Sequence, residues 1–587
     1  MNADKQPHPP GPFYTITKYL RRYRGYLIAG GVCIVCSNLL ILVLPYITKI
    51  IFDLLENKGT DSERLHWVLA MVGLAILSGL FRFLTRRTVI WMSRRVECDL
   101  RGEIFRHLLT LSPSFYDRTR TGDLMAKLTN DLEAIRMMVG PGIMHLSSTL
   151  VTFVVALAFM LYLSPRLTLY ALGPMLLFPL VANRVGNMVH RRAMKIQEHF
   201  SVLTAAVQEN IAGVRVIKSF RQEDNEVEHF RSLSQKYLGL NMDLARLYAM
   251  MVPLLMTLAS LLTLTALYFG GLEVMSGAVP LGTLVAFFAY LSMLIWPAVA
   301  LGWVVSLYQR GKASLERINR ILETKSAVRD ETGKLHAGEM RGRIEFSNLC
   351  FSYNGAEVLK GINLTIEPGR TIGLVGRTGS GKTTLVSLLG RMYPVPRGQL
   401  FIDGVDINDW ELSALRRQIS FATQEPFLFS ASIGDNIRFG ADSATDEAIE
   451  TAATTAALTR DVRTFPDGFG TMIGERGITL SGGQKQRTAI ARAIVAAPAV
   501  LVLDDATSSV DTETEDEINR SLATVLEGRT SIIISHRISS VKQADRILYL
   551  EDGRIIEQGS HDELVQLGGH YADLHRSQLL AEQLDKL

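Results

Sequence analysis

Eight consecutive residues carry the most specific chemistry in the chain: Gly376, Arg377, Thr378, Gly379, Ser380, Gly381, Lys382 and Thr383 fit G-x-x-x-x-G-K-S/T. They follow a β-branched run at 371–375 and precede an apolar helical stretch opening near Thr384, the strand-loop-helix context in which such a loop cradles phosphate. The glycines let the backbone wrap an anion, successive N–H groups and the helix dipole point at it, and Lys382 adds positive charge. The hydroxyl of Thr383 is suited to ligate Mg2+. A second element is the hydrophobic run 499–503 ending in Asp504, a carboxylate suited to hold Mg2+ directly or through water. ATP and Mg2+ are the ligands this pair of elements predicts.

Three further pieces narrow the reading. Leu480 precedes Ser481, Gly482, Gly483 and Gln484; Gln424 follows the apolar run 419–423; His536 follows the run 531–534. Each has a plainer reading in isolation: His536 as a satisfied loop histidine, Ser481 to Gln484 as a helix cap with a turn, and Tyr353 as an ordinary strand aromatic. Their shared order and spacing favour function over those alternatives. With these motifs in place the chain strongly resembles an ATP-binding cassette exporter half, and the resemblance covers nearly all of it.

The resemblance implies a multi-domain membrane protein: an all-α transmembrane domain of six helices, of the type I exporter kind, fused to an α/β P-loop nucleotide-binding domain. It further implies that Tyr353 stacks on adenine, that Gln424 couples magnesium to the membrane domain and that His536 contacts the γ-phosphate. Residues 508–511 would touch a second subunit, and Gly474, Glu475, Arg476 and Gly477 would communicate with the transmembrane part. In the family's arrangement Ser481 to Gln484 cannot reach phosphates held by their own chain's loop. Two nucleotide domains must therefore face each other, with ATP between one chain's phosphate loop and its partner's Leu-Ser-Gly-Gly-Gln signature. Binding then closes the dimer and hydrolysis weakens it.

One position departs from that pattern. Exporters of this kind usually place Glu directly after the magnesium aspartate, to orient the attacking water, whereas here Asp504 is followed by Asp505. Aspartate is one methylene shorter, and a retreat of roughly 1 Å can cost ~100-fold in rate. The catalytic set Asp505, His536 and Gln424 is thus expected to bind ATP well and cleave it slowly. With its own signature intact, the chain resembles the aspartate-bearing half of a heterodimeric exporter; the segment 115–131 and Ile295, Trp296 and Pro297 resemble bacterial multidrug-like heterodimers. A homodimer that tolerates Asp505 is the alternative.

These residues need elements to position them, and composition says where those elements lie. A mean hydropathy of +0.17, with 48% apolar and 20% charged residues, is too greasy for a wholly soluble chain. Sixty-two Lys and Arg against 58 Asp and Glu leave +4, which does not argue for nucleic acid, because membrane proteins concentrate basic residues in cytoplasmic loops. Four cysteines, Cys33, Cys36, Cys98 and Cys350, exclude a disulfide scaffold and an iron-sulfur protein, and the Cys33/Cys36 pair lies in an apolar run as packing.

Six stretches are long and poor in charge: 26–47, 67–84, 139–163, 167–185, 247–272 and 281–301. The first has 22 residues without Asp, Glu, Lys or Arg, matching the ~20 needed to cross the hydrocarbon layer. In the second Arg82 intrudes, and an arginine near a helix end can snorkel to the interface. The short joins at 164–166 and 270–280 are nearly free of Lys and Arg, whereas the long stretches after the second and fourth spans are rich in them. A multi-pass protein of the cell inner (plasma) membrane with both termini cytoplasmic is expected. Proline-free patterns predict a single helix over 67–111 and another over 183–247, long enough to project far into the cytoplasm.

The expected divisions are 1–25 as a cytoplasmic N-terminal segment, 26–309 as the transmembrane domain, 310–341 as linker and 342–587 as the nucleotide-binding domain. Segments 121–132 and 208–220, mixed in polarity, are expected to dock on nucleotide domains, with Glu209 and Arg215 important for coupling. For cargo, Met138, Met160, Phe287, Phe288, Tyr290, Met293 and Trp296 provide an adaptable apolar surface, though lipid-facing packing explains them as well. The scarcity of charge in the spans argues against an ion path.

Together these features predict ATP-driven export of hydrophobic or amphipathic compounds, drugs or lipids, by an ATPase working with a second half-transporter in a lipid bilayer. The alternatives are a homodimeric lipid flippase of the lipid A exporter type and a nucleotide-gated regulator. A soluble cassette ATPase of DNA repair or chromosome organisation conflicts with six spans.

Overall fold

A computed structural model describes residues 13–57, 59–330, 336–474 and 480–585; within helices the side chains of 172–180, 182, 183, 252, 255, 298, 299, 301, 512, 581, 582, 584 and 585 lie outside the description. Residues 1–12 of the expected N-terminal segment 1–25 likewise lie outside it. The chain packs as two compact units. One is helical and runs to Thr324 apart from Thr110–Arg120; the other comprises Thr110–Arg120 and everything from Lys325 onward.

In the helical unit, Arg24–Glu56, Asp61–Thr110, Thr121–Leu163, Glu223–Met275 and Leu281–Glu323 are each long and apolar enough to cross a bilayer. Helices are the form such apolar stretches must take, because lipid offers the backbone no hydrogen-bond partner. Their ends carry local stop and start signals: Thr60 and Glu63 form a reciprocal capping box. Ser164 accepts from the N–H of Leu167 at 3.3 Å, with Pro165 at the first helical position. The fourth expected span, 167–185, falls inside the helix Pro165–Ala212, though the side chains of 172–180, 182 and 183 are among those outside the description.

The helix expected over 67–111 is present and longer. Asp61–Thr110 is 50 residues, about 75 Å at 1.5 Å per residue, with a π-helical turn at Arg86–Ile90. Uninterrupted helix over 183–247 is a correction: the chain reverses after Ala212 through Gly213, the short helix Val214–Ser219 and Arg221, whose φ of +53° turns it back into Glu223–Met275. The two arms then pair, with the His199 ring nitrogen Nε2 2.9 Å from the carbonyl of Leu233. Proline scarcity marked helix without revealing a hairpin.

Phe287, Tyr290 and Met160, read as possible cargo contacts, are at most 1% exposed and form the core of this unit with Leu42 and Leu167. Tyr290 donates to the carbonyl of Leu42 at 2.7 Å and stacks on Phe159 at 5.4 Å. The expected linker 310–341 also needs correction, since its first part is helix: Leu281–Glu323 continues to Glu323 before the second unit begins.

The described residues of the second unit form ten strands: β1 (Ile344–Tyr353), β2 (Ala356–Ile366), β3 (Thr371–Gly376), β4 (Leu400–Ile402), β5 (Val405–Asp406), β6 (Ile419–Ala422), β7 (Val500–Asp504), β8 (Thr530–Ile534), β9 (Arg546–Glu551) and β10 (Arg554–Gly559). One antiparallel sheet has the order β2-β1-β4-β5, and a six-stranded sheet has β10-β9-β3-β8-β7-β6, parallel except for β9 with β10. All five residues of β7 are buried, as a parallel strand covered on both faces requires. One apolar core, with Leu374, Leu385 and Trp410, supports β3 and its following loop. A second, with Ile490, Leu501, Leu503 and Ile518, fastens the helix Gly482–Val495 to β7. Only β8 separates β3 from β7, so Gly376 and Asp504 end neighbouring positions at the carboxyl edge of the sheet, where α/β folds bind ligands.

Candidate functional site

The phosphate loop leaves β3 in a conformation that glycine makes possible. Gly376, Gly379 and Gly381 have φ of +148°, +82° and +102°. A Cβ on Gly376 would collide with the carbonyl of Leu550, and one on Gly381 would lie 2.9 Å from Leu359 Cδ2. Lys382 is buried, and its Nζ donates to the carbonyls of Gly376 and Arg377, both at 2.9 Å. Burial pushes its pKa down, and the carboxylates of Asp505 and Asp504 oppose that shift. Ser380 Oγ is buried without a hydrogen-bond partner among the described residues, a donor left for an anion in the loop. Arg377, Thr378, Thr383 and Thr384 complete the turn, with Thr383 exposed at the start of the helix Lys382–Ser387.

Asp504 and Asp505 are 5% and 6% exposed, so two adjacent carboxylates lie beside one buried ammonium. Burial raises the pKa of Asp504, and a hydrogen bond from Thr383 works against the rise. These donors fit a Mg2+ ion: the Asp504 carboxylate and the Thr383 hydroxyl hydrogen-bonded to it are hard oxygen ligands, of the kind such a cation takes alongside a nucleotide's phosphates. Gln424 sits exposed in the bend after β6, the strand beside β7, with Ala422 in register with Leu503.

Asp505 adopts φ +47°, and its N–H donates to the carbonyl of Ile534 at 2.9 Å. Its Oδ1 accepts from the His536 N–H at 3.0 Å, and Oδ2 lies 3.2 Å from His536 Nε2. The histidine side chain is 44% exposed, so it reaches from solvent onto a buried acid. Behind it the buried Glu515 accepts from Ser540 at 2.5 Å and pairs with Arg537, holding the segment that carries His536.

Ser481 and Gln484 form a capping box: Ser481 Oγ accepts from the Gln484 N–H at 3.2 Å and Gln484 Oε1 accepts from the Ser481 N–H at 3.0 Å. The helix-cap reading of these residues is therefore correct as local structure. Gly482 and Gly483 leave room for the following loop, since a Cβ on Gly483 would lie 3.1 Å from the carbonyl of Ser509. Gln486, overlooked in the sequence, is 3% exposed and ties helix to loop, accepting from the Ser509 N–H and donating to Ser508 Oγ, both at 2.8 Å. A polar side chain in the buried stripe of that helix was the available signal; Glu515 gave none beyond being acidic in a first turn. Among the described residues no hydrogen bond or ion pair joins Ser481–Gln484 to the phosphate loop. Glu475, Arg476 and Gly477 lie outside the described residues.

Tyr353 ends β1 and packs edge-on against Phe351 at 4.9 Å and Tyr393 at 5.1 Å. Tyr393 donates to Asp117 at 3.0 Å, and Arg118 pairs with Asn354, next to Tyr353. The segment packed with this unit is Thr110–Arg120, including the helix Pro113–Arg118, whereas the expected docking segment 121–132 belongs to the helical unit.

Residues 27–298 match the family described as ABC transporter transmembrane region, and residues 359–508 match ABC transporter. The chain is 35% identical over 98% of its length to the multidrug resistance-like ATP-binding protein MdlA of Escherichia coli, covering 98% of that protein. It is 37% identical to an ATP-dependent lipid A-core flippase of Nitrosococcus oceani, over 87% of this chain and 86% of the relative. Its fold matches a solved bacterial Atm1-family ABC exporter with ATP bound at a TM-score of 0.80, with 27% identity, 95% of this chain and 99% of that one covered. A glycine loop holding a buried lysine beside two buried aspartates, carried by a chain with membrane-length helices and these relatives, belongs to the ATP-binding cassette exporter family, whose ATPase activity drives transport across a membrane.

Proposed function

We propose that this chain is the slow-cleaving half of a heterodimeric exporter that moves hydrophobic or amphipathic compounds across the bacterial inner membrane, both termini cytoplasmic. The relatives named for multidrug resistance and for lipid A-core flipping support that substrate range. ATP would lie on the loop from Gly376 to Thr383, with adenine against Tyr353 and with Ser481 to Gln484 facing a partner's nucleotide. Thr383 and Asp504, with Gln424 nearby, would hold Mg2+, which supplies charge neutralisation at the β- and γ-phosphates.

The observation that carries the slow-cleaving reading is the pairing of Asp505 with His536. Both oxygens of the shorter carboxylate lie within 3.2 Å of the residue that the family resemblance places at the γ-phosphate, and this contact draws the carboxylate toward His536. Lys382 and Ser380 still bind phosphate, so the pocket retains ATP while hydrolysis falls to the partner's site, completed by this chain's signature. The test is ATP turnover by the purified full chain in nanodiscs, alone and with a partner half-transporter carrying Glu after its magnesium aspartate. Turnover alone is expected to be at least roughly tenfold below that of the pair; full-speed turnover by the single gene product overturns the heterodimer reading in favour of a homodimer.

A further inference from the structure

The helical unit encloses a cavity of about 370 Å3 whose walls divide by chemistry. One wall is apolar, with Ile34, Ile41, Met293 and Trp296. A second is neutral and polar: Asn38 donates to Ser148 Oγ at 3.1 Å, and Ser148 donates back to Asn38 Oδ1 at 3.2 Å, with Thr152 beside them. The third is basic. Arg82 and Arg86 both line the space, four residues apart and so on one side of their helix across the start of the π-turn, and His145 lines it too.

No carboxylate lines this cavity, and among the described residues neither Arg82 nor Arg86 has an ion-pair partner. Other arginines further along the same helix are paired: Arg94 and Arg101 both meet Glu97, at 3.2 and 2.7 Å. Guanidiniums at the edge of a bilayer are costly unless matched by water, headgroups or a ligand's negative charge. Snorkelling to the interface, expected for Arg82 from its place near a helix end, accounts for one arginine at a lipid surface. It does not account for two lining one cavity with a histidine and an amide-hydroxyl cluster.

Resting on the exporter reading above, we propose that this cavity selects its cargo by charge, taking amphiphiles with an anionic phosphate or carboxylate head. The head meets Arg82 and Arg86, whose planar donor forks suit such oxyanions; Asn38 and Ser148 hydrogen-bond its remaining hydroxyl groups or donate to its ester oxygens, and the tail lies along Trp296 and Met293.

The test compares binding to the full chain in neutral nanodiscs of three probes with the same twelve-carbon tail: dodecyl phosphate, dodecylphosphocholine and dodecyltrimethylammonium, with inorganic phosphate as a fourth. Dodecyl phosphate is expected to bind on the order of tenfold tighter than either other amphiphile. R82Q/R86Q should erase that preference and R82K/R86K should keep most of it. Equal or tighter binding of the cationic probe, or a preference unchanged in R82Q/R86Q, overturns the proposal; should that variant fail to fold, the ranking of probes on the unaltered chain decides. Inorganic phosphate displacing dodecyl phosphate at equal concentration also overturns it, because the site would then read a free anion and no tail. ATP-driven movement of the probes in proteoliposomes, with the partner half-transporter present, is scored separately. If dodecyltrimethylammonium moves and dodecyl phosphate does not, charge selection fails and the exporter reading stands. If no probe moves while dodecyl phosphate still binds selectively, the exporter reading fails and the binding site stands.

Discussion

His536 engages both carboxylate oxygens of Asp505, Oδ1 through its backbone N–H at 3.0 Å and Oδ2 with Nε2 at 3.2 Å. The backbone of Asp505, at φ +47°, is in the left-handed region that aspartate tolerates better than most residues. Lengthening the side chain should free the carboxylate from this clamp. Asp505→Glu is expected to raise ATP turnover by this chain's own site on the order of tenfold or more, with KM for ATP little changed. Asp505→Asn should abolish what remains. Turnover of Asp505→Glu equal to that of the unaltered chain would show that the clamp does not limit hydrolysis.

Asp504 gives a test in which stability and activity move oppositely. Burial raises its pKa, so the folded chain holds a proton in a pH range where the unfolded chain has lost it. Its contribution to stability is therefore present below the unfolded value and lost as pH rises through the folded one. At neutral pH it is a buried charge at a net cost. Asp504→Asn is expected to raise the thermal midpoint of the nucleotide-free protein at pH 7 to 8, the gain shrinking toward pH 4, while removing Mg2+-dependent hydrolysis. A midpoint lower than that of the unaltered protein at pH 7 would contradict this.

Asp131 has the opposite sign. Burial alone would raise its pKa, but hydrogen bonds from Arg317 at 2.9 and 2.5 Å and from Ser314 at 2.9 Å outweigh burial and hold it below the usual carboxylate value. Stability from this cluster is present above the unfolded pKa and lost as pH falls through the folded one. Asp131→Asn should destabilise the helical unit by about 1–3 kcal/mol, because Arg317 loses its charged partner. Thermal melts from pH 7 downward check it: the difference between the two proteins should narrow as the solution is acidified.

The contacts of Asp117 with Tyr393 and Arg118 with Asn354 join the helix Pro113–Arg118 to the rim beside Tyr353. Tyr393→Phe combined with Arg118→Ala is expected to leave ATP turnover within about twofold while lowering transported cargo per ATP roughly five- to tenfold, as loss of a modest coupling free energy would. Parallel turnover and transport assays in proteoliposomes read both numbers; an unchanged ratio would remove these contacts from the coupling path.

At the hairpin joining Pro165–Ala212 to Glu223–Met275, Ile211, Val216 and Phe220 are 69%, 60% and 71% exposed, alongside exposed Glu209 and Arg215. An apolar patch edged by charge suits docking on a nucleotide-binding unit of the assembled transporter. Reversing charge with Glu209→Lys and Arg215→Glu is expected to cut transport about tenfold with ATP turnover retained. Unchanged transport would assign the tip to plain surface.

What the residue order determined by itself was local. The glycine loop, the aspartate ending a buried strand, the capping box at Ser481 and the apolar runs of membrane length all arise between near neighbours, where backbone sterics and hydropathy decide. Only the tertiary structure decided the reversal at Gly213, the docking of Thr110–Arg120, and the burial of Tyr290 as core. It also brought Asp505 to His536, 31 residues away, and Asn38 to Ser148, 110 residues away. Those pairings depend on which faces pack, and any polar residue in an apolar stretch has many candidate partners at such separations.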